Sequence, residues 1–131
     1  MFNTGAFDYI NVLDKAADAS WLRETAITNN LANVDTPGYK RQEVDFESVL
    51  KQELGRSKYT SLDKKIRGLN GNLSKLTVSA YEDSTNYSYR LDGNNVDPDT
   101  ENVELASEQI RYEALTSSLN SQFNCMKAVI N

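Results

Sequence analysis

"NNLANVDTPGYKR", residues 29–41, closes a long helical pattern and then turns the chain sharply. Pro37 disfavours helical backbone at Thr36, so the helix must stop before the pair. Pro37–Gly38 are the preferred central residues of a type II turn, in which glycine supplies the positive φ. A helix stop accounts for Asp35 to Gly38 but not for Asn29, Asn30 and Asn33. Asparagine is a mediocre helix former because its amide competes for backbone groups. A polar side chain in an apolar seam can, however, fix register. The three asparagines therefore point to close packing across an interface.

Working outward, Ile10, Leu13, Ala17, Ser20, Glu24, Ile27, Leu31 and Val34 are spaced alternately by three and four. That is the spacing of a coiled-coil seam, weakened in its middle by the polar Ser20 and Glu24. It predicts a helix from about Gly5 to Asn33. At the other end, Leu105, Tyr112, Leu115, Leu119, Met126 and Val129 repeat the spacing, with Glu108 and Gln122 filling two gaps. Ile110, Phe123 and Ile130 widen this stripe, and a helix is predicted from about Glu101 to Ile130. Asp97, Asp99 and Glu101 crowd its start, where carboxylates suit the positive end of the helix dipole. Neither helix can bury its stripe alone, so the two must pack on each other, on further copies, or both.

The intervening chain has another composition. Phe46, Val49, Leu50 and Leu54 define one face of a short helix that Gly55 can end. "GRSKYTSLDKKIRGLNGNLSK" is polar and glycine-punctuated and reads as a mobile loop. Leu76–Tyr81 and Tyr87–Leu91 read as the two strands of a hairpin. The expected fold is mainly α: two long terminal amphipathic helices forming a coiled-coil-like pair around a small, loosely ordered middle region. The expected divisions are residues 1–40, 41–98 and 99–131.

Bulk properties exclude several functions. Hydrophobic residues make up 39% of the chain, against roughly 45–50% in ordinary globular proteins, so a generous core is not expected. With no histidine, the commonest general base and metal ligand is missing. The single cysteine, Cys125, has no intramolecular disulfide partner and reads as a small buried hydrophobe. Net charge is −3 over residues 1–39, +4 over 40–75 and −6 over 76–131. Acidic ends around a basic middle argue against nucleic-acid binding and raise complementary contact between neighbouring copies as an alternative to a merely solvated surface. Asp97, Asp99, Glu101 and Glu108 imitate calcium-loop spacing, but Asn102 stands where such a loop needs glycine. No catalytic or metal-binding constellation emerges, and neither a cofactor nor a small-molecule substrate is expected. The N-terminus lacks the basic and apolar regions of a cleavable signal peptide.

"NNLANVDTPGYK" closely resembles the N-terminal signature of bacterial flagellar rod, hook and hook-associated proteins, "S/N-N-L/I-A-N-x-x-T-x-G-Y/F-K". The match covers Asn29, Asn30, Leu31, Ala32, Asn33, Thr36, Gly38, Tyr39 and Lys40. Residues 92–130, with their "DGNNVD" turn and Tyr112, Ala114 and Leu115, resemble the C-terminal part of the small proximal-rod members of that family. The resemblance implies a structural subunit whose terminal helices assemble into the axial tube and which transmits torque in motility. The implied partners are further copies of itself, other rod proteins such as FlgC, the adaptor FliE, the inner-membrane ring and the type III export apparatus. The implied location is the periplasmic rod of the basal body, reached without a cleaved signal peptide. Expected assembly residues are Ile10, Leu13, Ala17, Ile27, Asn29, Asn30, Leu31, Asn33, Pro37, Gly38 and Tyr39, with Leu105, Tyr112, Leu115, Leu119, Phe123 and Met126. A soluble coiled-coil module or export-associated chaperone is the alternative expectation.

Overall fold

The computed structural model describes residues 5–83 and 93–130. Helix α1 spans Ala6–Ala32, β1 Gln42–Glu43, α2 Glu47–Gly55 and α3 Leu62–Asn70. A 3-10 turn at Leu73–Leu76, strand β2 at Tyr81–Glu82 and helix α4 at Pro98–Ile130 follow. At 1.5 Å per residue, α1 is about 40 Å long and α4 about 50 Å.

The two long helices run antiparallel. Descending α1, Asn30 meets Glu101, Ser20 meets Glu108, and Trp21 meets Tyr112 with ring centroids 6.0 Å apart. The three–four seam is one of two buried faces on α1. Ile10, Ala17, Ser20 and Ile27 are buried on the side of Ser20, toward α4. Val12 and Ala19, about a third of a turn away, face the middle region and join Phe46, Ile66, Leu69 and Leu76 in the core. Leu50, Leu54, Leu73 and Val78 pack against that cluster. Small alanines on this second face let the middle segment approach α1 closely. Burying one large aliphatic or aromatic side chain there is worth about 1.5–3 kcal/mol.

The middle region therefore differs from the expected mobile loop. Ile66, Leu69 and Leu73 recur at helical spacing inside a lysine-rich stretch, and Ile66 and Leu69 are buried. Asn11 donates to Asn70 at 2.7 Å, Asn70 donates to the Asp8 carbonyl at 3.1 Å, and Tyr9 donates to Asp63, which pins α3 to the start of α1. Polar composition concealed this helix because only one narrow side of it is covered.

The strand expectation is corrected too. Leu76, expected in a strand, ends the 3-10 turn, and the short β2 pairs antiparallel with β1, Gln42 opposite Glu82 and Glu43 opposite Tyr81. The other expected strand, Tyr87–Leu91, lies outside the described residues. Helix α4 starts at Pro98, earlier than its apolar pattern. Asp97 accepts bonds from the Asp99 amide at 3.1 Å and the Thr100 hydroxyl at 2.9 Å, a side-chain cap ahead of a proline at the first helical position. Cys125 is exposed rather than buried. Successive helical residues are about 100° apart, so the half-buried side of Met126 is not shared by its neighbour.

Candidate functional site

The end of α1 and the start of α4 are joined by a buried polar cluster around Asn30. Its side chain is fully covered and fully used. The amide donates to the Gln42 carbonyl at 2.9 Å and to Glu101 at 3.2 Å. The amide oxygen accepts from the Gln42 N–H at 2.8 Å and from the Tyr39 hydroxyl at 3.2 Å. Only a side chain with both donor and acceptor can pair with both polar groups of Gln42. Glu101, 1% exposed, is ion-paired to Arg41, whose guanidinium also reaches Glu104 at 2.9 Å. Burial opposes the charge of Arg41, but Glu101 and Glu104 outweigh it and hold its proton more tightly than usual. Burial first, and the Glu101 charge second, push the Tyr39 phenol above the ordinary tyrosine range.

Asn33 has a different duty. Its backbone and side-chain N–H groups both reach the Asn29 carbonyl, at 3.1 and 2.8 Å, while its oxygen accepts from Thr36 at 3.1 Å. Helix closure then passes into the Thr36–Tyr39 turn, closed by a 3.1 Å backbone bond, with Gly38 at φ +72°. These are the features of the expected type II turn. Asn94 donates to the carbonyls of Val34 at 3.0 Å and Thr36 at 2.7 Å, which the ended helix no longer engages. Asn95 accepts from the Arg41 N–H at 2.7 Å, and Lys40 reaches the Gly93 carbonyl at 2.8 Å. The "GNNV" stretch before α4 is thus folded onto the "NNLANVDTPGYKR" turn. The two sequence motifs are the two halves of one clasp.

A second cluster lies farther along the pair. Ser20 donates to Glu108 at 2.5 Å, so one polar gap of the first stripe faces one of the second. Arg23 binds the Val44 carbonyl at 3.0 and 3.1 Å, Glu47 at 2.5 Å and Glu108 at 3.3 Å. Arg111 joins Glu47 at 2.8 Å and Glu108 at 3.2 Å. The Arg23 hydrogen bond holds the Glu47 carboxyl below its ordinary range. Between the clusters opens a cleft of about 520 Å³ whose charged lining includes Arg23, Arg41 and Arg111.

The expected assembly residues occupy distinct settings. Ile10, Ala17, Ile27 and Asn30 are covered within the chain. Leu13, Leu31, Asn33 and Tyr39 are half-buried, as are Leu105, Tyr112, Leu115, Leu119 and Met126. Asn29, Pro37, Gly38 and Phe123 are exposed. Sequence reasoning passed over Arg23, Arg41, Glu101 and Asn94 as partners of this site. A signal was present for Glu108: it is one of two polar gaps in its stripe, and it meets the Ser20 gap of the other when the helices pair antiparallel.

Two long helices clasped at a flagellar-type signature define a class, the rod proteins of the bacterial flagellar basal body. Residues 24–40 match the family model for the flagella basal body rod protein. Over 121 residues, 92% of each chain, the sequence is 38% identical to flagellar basal body rod protein FlgB of Bacillus subtilis. It is 33% identical over 128 residues to that of Borrelia hermsii, covering 92% of this chain and 94% of the relative. Identity to the Escherichia coli protein is 29% over 123 residues, 82% of each. The chain belongs to the FlgB family of flagellar basal body rod proteins.

Proposed function

We propose that this rod component is a proximal-rod subunit that polymerises through its terminal helices and transmits torque. The observation that carries the reading is the division of labour along the helices. Asn30, Asn33, Thr36, Tyr39 and Lys40 of the signature make hydrogen bonds within the subunit, while Trp21 of α1 and Val103, Ile110 and Phe123 of α4 stand more than half exposed. Large apolar side chains left out along two long helices suit contact with other copies and with further axial proteins. The half-buried Leu105, Tyr112, Leu115, Leu119 and Met126, with exposed Phe123, would contribute from the seam. Asn30, Gly38 and Tyr39 would act indirectly, by fixing how α4 returns along α1. Charged bonds between the two helices resist their sliding past one another, which a torque-bearing subunit requires.

On this reading the partners are further copies, a neighbouring rod protein such as FlgC, the adaptor FliE and the inner-membrane ring. The chain reaches the periplasm uncleaved through the type III export apparatus. The test is imaging of basal bodies, with a swimming assay, in a strain lacking this gene. Rods and filaments should vanish and return on complementation. Normal basal bodies without the gene would overturn the reading.

A further inference from the structure

Two surfaces of opposite charge are built by different elements of the fold. The first is a groove of about 220 Å³ beside α3, with Arg56, Lys58, Lys65 and Lys75 in its wall. Among the described residues its one lining carboxylate, Glu53, is already bonded to Arg56 at 2.6 Å. An adjoining hollow of about 280 Å³ adds Lys64 and Arg67. Lys58 stands over the exposed Tyr59 ring, 5.6 Å from its centroid. The second surface is the 520 Å³ cleft between α1, β1 and α4. Against its three arginines it carries Glu43, Asp45, Glu47, Glu104 and Glu108. The side chains of Glu43, Glu47 and Glu104 are each paired with an arginine of the cleft yet remain 43–57% exposed at the rim, where carboxylates outnumber arginines.

The groove is lined from the end of α2 through α3 to the 3-10 turn, the cleft by α1, β1, β2 and α4, and no residue lines both. A copy docking its groove into a neighbour's cleft therefore uses two different patches. The pair then keeps one free patch of each sign, a cleft on one copy and a groove on the other. Such a heterologous contact propagates into a ring or an open filament rather than closing into a two-fold dimer.

We infer that the basic groove beside α3 docks into the acidic α1–β1–α4 cleft of a second copy, an electrostatic contact that orients one subunit on the next. The inference rests on the polymerising reading above. Complementary charge of this kind governs orientation and the rate of encounter more than raw affinity, and it weakens as salt screens it.

The experiment uses the full-length chain in sedimentation velocity at low and high salt, with circular dichroism to check folding. One variant carries Lys58→Glu and Lys65→Glu, and the other carries Glu47→Lys and Glu104→Lys. Each alone presents like charges on both patches and should associate at least about ten-fold more weakly than the unaltered chain. Mixed in equal amounts, every contact again joins opposite charges, so association should return. Should the reversals unfold the chain, Lys58→Gln with Lys65→Gln and Glu47→Gln with Glu104→Gln should give a smaller loss. Wild-type association by either folded variant, or a mixture of folded variants that stays inert, would overturn the docking while leaving polymerisation standing. An unaltered chain that stays monomeric at every concentration would count against both.

Discussion

Asn30 and Asn29 are neighbours of the same residue type with opposite fates. Asn29 points into water, whereas every polar atom of the Asn30 side chain is engaged in a buried site. Truncating Asn30 to alanine would leave the Gln42 peptide groups, the Tyr39 hydroxyl and one bond of Glu101 unsatisfied. An unsatisfied buried group costs about 1–3 kcal/mol. Asn30→Ala should therefore lose about 3 kcal/mol or more in denaturant unfolding, while Asn29→Ala stays within about 0.5 kcal/mol. Similar losses for the two would refute the assignment of the clasp to Asn30. The quoted stretch signalled that asparagine mattered here. It could not separate the two, because their difference is one of direction around the helix.

At the scale of elements, α4 is unevenly supported. Its first half is held by Asp97, Glu101 and Glu108, and its last residues, Val129 and Ile130, are more than four-fifths exposed. Helix α1 is covered on two sides. Backbone protection follows burial and local contact. Amide exchange in the isolated chain should therefore be slowest in residues 10–30 and 102–112 and fastest in α4 beyond Leu119. Uniform fast exchange along α1 would show that its two buried faces do not persist without neighbours. The three–four periodicity made α1 and α4 legible in the sequence, including their ends to within a few residues. It hid α3, whose apolar side is two residues wide, and it merged the two faces of α1 into one.

For the whole molecule, stability should be bounded on both sides of neutral pH. The Glu47 carboxyl is depressed, chiefly by its bond to Arg23. Its contribution is present above the ordinary carboxylate range and is lost as pH falls through the depressed value. Tyr39 and Tyr81 are raised, each mainly by burial and then by nearby carboxylates. Folding favours their neutral form, so that contribution is intact below about pH 10 and is lost as pH rises beyond it. Thermal melts across pH should show a plateau with falling limbs, and Tyr39→Phe should flatten the alkaline one. A melting temperature unmoved between neutral pH and pH 11 would contradict the burial of Tyr39.

The sequence by itself determined the mainly helical class, the antiparallel-capable stripes, the turn at Pro37–Gly38 and the family, because each is written in local spacing and residue type. Only the tertiary structure decided that Glu101 meets Asn30 and Arg41, that Glu108 meets Ser20 and Arg23, and that "GNNV" covers the ended helix. These pairings span about sixty to ninety positions along the chain. No periodicity records them, since a carboxylate reads the same in solvent or in a buried clasp until the opposing helix arrives.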